Sequence, residues 1–447
     1  MDKKIEHGEY YFSFFSTELK TEKKLDVLFP DGKMDLLSNS EISEDEKISY
    51  VHEFVHFIQD ITTIYGLKKL TVEYNKARYL YNSNSQEISF PYHFQNKEEI
   101  FMQYNINLFS LAQNETKSEK LPNFPCKVII NEKNAKDEFV IDEEIPGDYS
   151  FFEIELDYGS KKYGPYSFGG HCISECMAKY IENHLFPSQP KAFDSDYDLP
   201  YIIANNTYPE IFSNPKFVVA LCDASLFFDF PGQVFIETLN YIKEKQLTYC
   251  NSYEIYSLVW RLYGDSKIVF NQWINTVNEA VNSIDVIVNV NEPEFEIPRN
   301  WAKQLIRTYC IERMRNTAFF TNLMEETQDK AKQYFMNIIY KFGSPLCYTK
   351  NYEFFLLDSV NIIPNPDLIP YWWKLKRMFD LCFNSFDLGC PFACICSAGT
   401  LICQKTPWSK KNDFLCDYDQ FSRCFGLYKR KIINKTVKKG RFQNEDK

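Results

Sequence analysis

Residues 48 to 60 read ISYVHEFVHFIQD and hold two of the six histidines in a chain of 447 residues. Val51, Phe54, Val55, Phe57 and Ile58 make the stretch deeply apolar, so one reading is a core helix whose imidazoles are satisfied by hydrogen bonds. The spacing supports another. At about 100° per residue, His52 and His56 lie about 40° apart in angle and one turn apart along the axis, so both rings can grip one ion. Glu53 falls about 60° from His56 on the same opening, within reach of a water on that ion without being a ligand. Metal-assisted hydrolysis requires this arrangement. Zinc acidifies the water, and a carboxylate takes its proton and later passes it to the leaving nitrogen. The spacing therefore makes His52 and His56 candidate metal ligands and Glu53 the candidate general base.

Helix signals surround the stretch. Ser43 with Glu46 forms a capping-box pair, and the acidic run SEDE suits the positive end of a helix dipole. The pattern predicts a helix from about Glu44 to Tyr65, broken by Gly66, with a second from Leu67 to about Tyr81. Before it, Tyr10 to Leu37 alternates apolar and polar residues around FPDGK, Phe29 to Lys33, and predicts a hairpin or small sheet. After it, residues 84–165 carry polar loops (NSNSQ, NETKSEK) and strand-like text (CKVIINEKNAKDEFVIDEEI, YSFFEIELDYG), which predict a β-rich insertion. A helix from Gly170 to Phe186 stops at Pro187, and helical periodicity recurs through PKFVVALCDASLFFDF, GQVFIETLNYIKEK and RNWAKQLIRTYCIERMRNTAFF. The expected class is α+β, in four parts: residues 1–83 with the sheet and the histidine helix, the insertion at 84–165, a helical bundle at 166–342, and a cysteine-rich portion at 343–447 with a basic tail.

Composition narrows the classes. Hydrophobic residues at 45% and charged residues at 25% are ordinary for a folded globular protein. The net charge of −11 repels nucleic acid and anionic membranes, which leaves the tail KRKIINKTVKKGR, Lys429 to Arg441, as the one local exception. That tail is read as mainly solvated and disordered. MDKKIEHGEYYF lacks the apolar core of a secretory signal, so the expected location is cytoplasmic and the 14 cysteines are expected as thiols. LGCPFACICSAGTLICQ, from Leu388, holds Pro391 and two glycines and is too short to span a membrane. Cys390, Cys394, Cys396 and Cys403 have the spacing C-x3-C-x-C-x6-C, unlike the paired C-x2-C of common zinc ribbons, so buried thiols are favoured over a second zinc site. No Gly-rich phosphate loop and no serine or cysteine nucleophile signature occurs.

HEFVHFIQD resembles the active helix of zincin metallopeptidases, and GGHCISECMAKYIE resembles the second helix of the glutamate-zincin, or thermolysin-like gluzincin, branch. The wording is nearer to uncharacterised bacterial zincin-like proteins than to secreted thermolysin. The similarity covers roughly 60 residues in two pieces. It implies a zincin-like catalytic unit of small sheet and active-site helices, with zinc held by His52, His56 and a glutamate of the second helix, which maps onto Glu175 in SECMA. The 118 residues between His56 and Glu175 exceed the spacing of compact members, so the β-rich insertion must loop out.

On a helical wheel Glu175 shares a face with His171, Ala178 and Glu182, opposite Ile173, Met177, Tyr180 and Ile181, a pattern that also fits a solvated face. Glu73, other carboxylates and His171 remain rival third ligands. Cys172 and Cys176, beside Glu175, are read as core residues. His171, Tyr163 and Tyr166 are candidate oxyanion donors, and Asp60 is the candidate carboxylate behind a ligand imidazole. The expected function is a zinc metallopeptidase acting on a peptide or protein, bacterial and cytoplasmic, restricted by a narrow substrate or a regulatory protein partner as in stress or phage-defence effectors. The alternative is a non-catalytic zincin-fold binding or regulatory protein with structural zinc. A DNA-binding regulator would need a module that the sequence lacks.

Overall fold

A computed structural model of the chain describes residues 8–19, 21, 23, 37, 39–83, 85–92, 119–122, 126–134, 150–187, 193–264, 266–287, 293–357, 369–384, 390–396 and 416–433. Ser43 opens helix α1 (Glu44–Thr62) through the capping box with Glu46, both halves of which are formed. The helix ends at Thr63, three residues before the expected break. Thr63 is extended, donates its hydroxyl to the Gln59 carbonyl at 2.7 Å and accepts from the Gly66 N–H at 3.0 Å, so one residue closes α1 and caps α2 (Ile64–Asn82). Gly66 is inside α2 and serves the joint differently. A Cβ there would lie 2.5 Å from the Asp60 backbone, so only glycine allows the two helices to fold this closely.

The N-terminal hairpin is tighter than the alternation predicted. Strands β1 (Gly8–Tyr11) and β2 (Ser16–Leu19) pair antiparallel around residues 12–15, whereas Phe29 to Lys33 lie outside the described residues. Ser13 has φ 67°, a left-handed conformation costing about 1 kcal/mol, and is held by its N–H to Asp60 at 2.7 Å and its carbonyl to the Tyr74 hydroxyl.

The expected insertion contains a three-stranded antiparallel sheet, β5 (Lys127–Asn134), β6 (Ser150–Asp157) and β7 (Lys162–Phe168). Two-stranded ladders join β3 (Glu87–Ser89) to β11 (Lys431–Ile433) and β4 (Lys120–Leu121) to β8 (Phe193–Asp194). Strand β9 (Leu346–Thr349) pairs parallel with β2, and β10 (Phe354–Phe355) pairs with β9. Residues 8–19 and 346–355, far apart in sequence, thus share one sheet. The start of the basic tail is also ordered, contrary to the solvated reading. Its first residues form β11, and Arg430 donates to the Leu80 and Tyr81 carbonyls at the end of α2, at 2.6 and 2.9 Å. Residues 434–447 lie outside the described residues.

From residue 170 to 342 the described chain is helical: α3 (Gly170–Leu185), α4 (Ser195–Thr207), a turn of helix at Pro209–Phe212, α5 (Pro215–Ser225), α6 (Pro231–Glu244), α7 (Ser252–Leu262), α8 (Ser266–Ile287), α9 (Pro293–Arg315), α10 (Phe319–Leu323) and α11 (Gln328–Phe342). Helices α12 (Tyr371–Phe383) and α13 (Asp417–Cys424) follow. The protein is therefore mixed α+β, with small sheets around a helical majority.

Helix α1 is the axle of the core. It packs on β1, α2, α3 and α9, and Val51, Phe54, Val55, Phe57, Ile58 and Ile61 have no exposed surface. Burying each such side chain stabilises the fold by about 1.5–3 kcal/mol. A buried Arg313–Asp223 ion pair ties α9 to α5, with Thr321 adding a hydrogen bond to the same carboxylate at 3.2 Å. No described helix is long and apolar enough to cross a membrane.

Candidate metal centre

Helix α3 starts against the α1–α2 joint because Gly170 has no side chain: a Cβ there would sit 2.4 Å from the Tyr65 ring. This seating lays one face of α3 on α1. Cys172, Ile173, Cys176, Met177 and Ala178 become fully buried, and Glu175 with them, at 9% exposure. The face bearing Glu175 is thus an interior face, not the solvated one its wheel position allowed.

There Glu175 meets both histidines. Its Oε2 lies 3.1 Å from His52 Nε2 and its Oε1 3.2 Å from His56 Nε2, while the two Nε2 atoms are 3.0 Å apart. Tetrahedral zinc with bonds of about 2.0–2.1 Å needs donors ~3.3 Å apart, so this triangle has the size of one coordination face. Among the described residues it is the one group of three or more His, Cys, Asp or Glu close enough to hold a metal ion.

The far side of each ring fixes the tautomer. His56 Nδ1 lies 2.9 Å from Gln59 Oε1, and Gln59 Nε2 donates to the Ser174 carbonyl, so the amide oxygen faces the ring and Nδ1 must donate. His52 Nδ1 lies 2.9 Å from Glu182 Oε2, again an acceptor. With both Nδ1 atoms donating, a neutral pair turns two bare nitrogen lone pairs and a carboxylate toward one point, which a metal ion or a proton relieves. The charges respond accordingly. Burial alone would lower the His52 pKa, yet Glu175 and Glu182 raise it well above the ordinary histidine range. Burial would likewise raise the Glu175 carboxyl, yet His56 and His52 hold it well below the carboxylate range.

Glu53 sits beside the triangle, 8% exposed, with Oε2 accepting the Tyr10 N–H at 2.7 Å. Burial pushes its carboxyl up against the pull of His52 and His56. Phe12 packs its ring 5.4 Å from that of His56, under the Lys69 ammonium at 3.8 Å. Tyr197, near the start of α4, places its ring 5.8 Å from that of His52. Burial, then Glu175, Asp196 and Glu53, raise its phenol above the ordinary tyrosine range, so it stays a proton donor at neutral pH.

Other expected residues are placed elsewhere. Glu73 pairs with Lys76 at 2.8 Å and takes no part in the triangle. His171 Nε2 faces Asp196 at 3.0 Å, and this carboxylate raises its pKa against burial. Tyr166 donates to Glu119, and Tyr163 lies under Lys161. Asp60 is not bonded to an imidazole. It accepts from the Tyr10 hydroxyl at 2.8 Å and the Ser13 N–H at 2.7 Å, and burial raises its carboxyl to about 6. The partners behind the rings are Glu182 and Gln59. Glu182 stands two turns beyond Glu175 and Gln59 three residues beyond His56, spacings that could have pointed to both. Nothing in the sequence marks Tyr10 or Tyr197.

Among the cysteines, Cys394 and Cys396 are exposed and Cys390 half-buried, Cys172 and Cys176 are core residues, and Cys403 lies outside the described residues. No family model, curated protein or solved structure matches the chain.

Proposed function

We propose that the protein is a zinc-dependent metallopeptidase that hydrolyses a peptide bond in a peptide or protein substrate. The observation that carries this reading is the convergence of two imidazole nitrogens and a carboxylate on one point, with the imidazole protons directed away from it and a second carboxyl, Glu53, alongside. His52, His56 and Glu175 would hold the ion, and two nitrogens with one oxygen form a donor set suited to zinc. When bound, zinc supplies Lewis acidity, polarising a carbonyl and lowering the pKa of a coordinated water. Glu53 is the general base that accepts the water's proton and returns it to the leaving nitrogen. Tyr197, a neutral phenol whose ring lies 5.8 Å from that of His52, would be the donor to the oxyanion as the carbonyl becomes tetrahedral. A narrow substrate or a regulatory partner would restrict such an activity, as expected of a stress or phage-defence effector.

Replacement of Glu53 by glutamine tests the reading. The variant should bind one zinc per chain with wild-type affinity while turnover falls about 10²–10⁴-fold, read as the loss of new protein N-termini in cells that express it. The burial of Glu53 against Tyr10 favours a second reading, a non-catalytic protein with structural zinc. That reading expects Glu53→Gln to keep the full cellular effect, an outcome that would sink the peptidase proposal.

A further inference from the structure

On the far side of α9 a cavity of about 310 Å³ opens between the end of that helix, α10 and α11. Phe319, Ile338 and Phe342 form its floor, and Glu312, Arg315 and Lys341 stand at its mouth. We propose that this cavity binds a small organic anion with an apolar body, of the class of medium-chain carboxylates.

The floor is apolar and rigid. The inner face of Phe319 stacks on the guanidinium of Arg313 at 4.1 Å, which the buried pair with Asp223 immobilises. Phe342 packs against Tyr309 with the rings tilted by 37° and 4.7 Å apart, and Tyr309 packs edge-on against Phe57 of α1 at 5.8 Å. One wall is tied by the Asn316 side-chain amide donating to the Tyr334 hydroxyl at 2.9 Å. Phe319, Phe342 and the Asn316–Tyr334 side are thus held from behind, and the buried floor that water would contact is ring and methyl surface. An apolar occupant is favoured over that water.

The mouth selects the sign of charge. Arg315 and Lys341 both pair with Glu312, leaving one positive charge in excess. The Arg315 side chain is 70% exposed and that of Lys341 58%, against 13% for Glu312, so the cations stand outermost. A guanidinium has five N–H donors and an ammonium three, so most remain for an anion after Glu312 is served. At ~30 Å³ for each water-sized unit the cavity has room for about ten non-hydrogen atoms. Octanoate has that size.

Titration calorimetry of the full chain with octanoate tests the proposal, with octylammonium as the probe of opposite charge. The expected result is one saturable site with a Kd on the order of 0.1–1 mM, at least tenfold weaker binding of octylammonium, and loss of binding in Ile338→Trp, whose indole fills the cavity. If Ile338→Trp does not fold, the exposed double replacement Arg315→Ala with Lys341→Ala, which leaves the floor intact, should weaken octanoate at least tenfold. No saturable binding, equal binding of octylammonium, or wild-type affinity in the folded variants would overturn the site. The result does not depend on the metal centre, since a chain that binds no zinc would bind octanoate equally.

Discussion

Replacing Glu182 by glutamine or by alanine probes the metal centre without touching a donor of the triangle. The Glu182 carboxylate lies 2.9 Å from His52 Nδ1 and fixes both the tilt of that ring and which nitrogen is bare. A hydrogen bond to a charged group is worth about 1.5–3 kcal/mol, whereas the neutral bond of a glutamine is worth about 0.5–1.5. Glu182→Gln should therefore forfeit about 1–1.5 kcal/mol of ring orientation, equivalent to roughly 5–12-fold weaker zinc binding. Glu182→Ala removes the contact and should reach the upper part of the 10–100-fold range typical of such partners, about 2–3 kcal/mol. Glu182→Ala should also lower fold stability by about 1–3 kcal/mol, because the Glu182 side chain is only 16% exposed and its loss leaves the His52 Nδ1–H without its acceptor. The assay is competition between the metal-free protein and a chromophoric zinc chelator at fixed pH, with His52→Ala as the reference for a lost ligand. Wild-type zinc affinity in both Glu182 variants would refute the orientation argument. Equal affinity in wild type and His52→Ala would refute the metal centre itself.

Asp60 predicts a pH dependence of stability. Burial raises its folded-state pKa from 3.8 to about 6, so between these values the folded protein holds a proton that the unfolded chain has released, and stability falls as pH rises through this window. The penalty above pH 6 is about 3 kcal/mol. Asp60→Asn should gain in stability relative to wild type between pH 4 and pH 8 in urea denaturation, and a constant difference across that range would contradict the assignment. Gly66→Ala places a methyl 2.5 Å from the Asp60 backbone and should destabilise by about 1–3 kcal/mol or more while weakening zinc binding, since Asp60 and His56 share a helix. Wild-type melting and zinc affinity in that variant would show that the joint has slack. Thiol reagents should label Cys250, Cys394 and Cys396 in the native protein and reach Cys172, Cys176, Cys222, Cys310 and Cys382 only on unfolding, as mass spectrometry of trypsin-cut protein would show.

Local patterns were legible where neighbours in sequence are neighbours in space. Ser43 and Glu46 cap α1, His52, Glu53 and His56 share an opening, and GGHCISECMAKYIE forms a helix, because each depends on spacing within a few turns. The break between α1 and α2 was misplaced at Gly66. A glycine is ambiguous in sequence, and here its purpose is the close approach of the Asp60 backbone.

What the sequence by itself determined is which side chains can act and on which helical face they stand. The tertiary structure decided that Glu175 and not Glu73 closes the triangle, that Glu182 holds the His52 ring from behind, and that β1 and Tyr197 border Glu53 and His52. The physical reason is that these contacts join residues from 43 to 130 positions apart, or an α4 tyrosine to an α1 imidazole. Helical periodicity carries information over about two turns. Only the burial of α1 among β1, α2, α3 and α9 brings the distant partners to the same point.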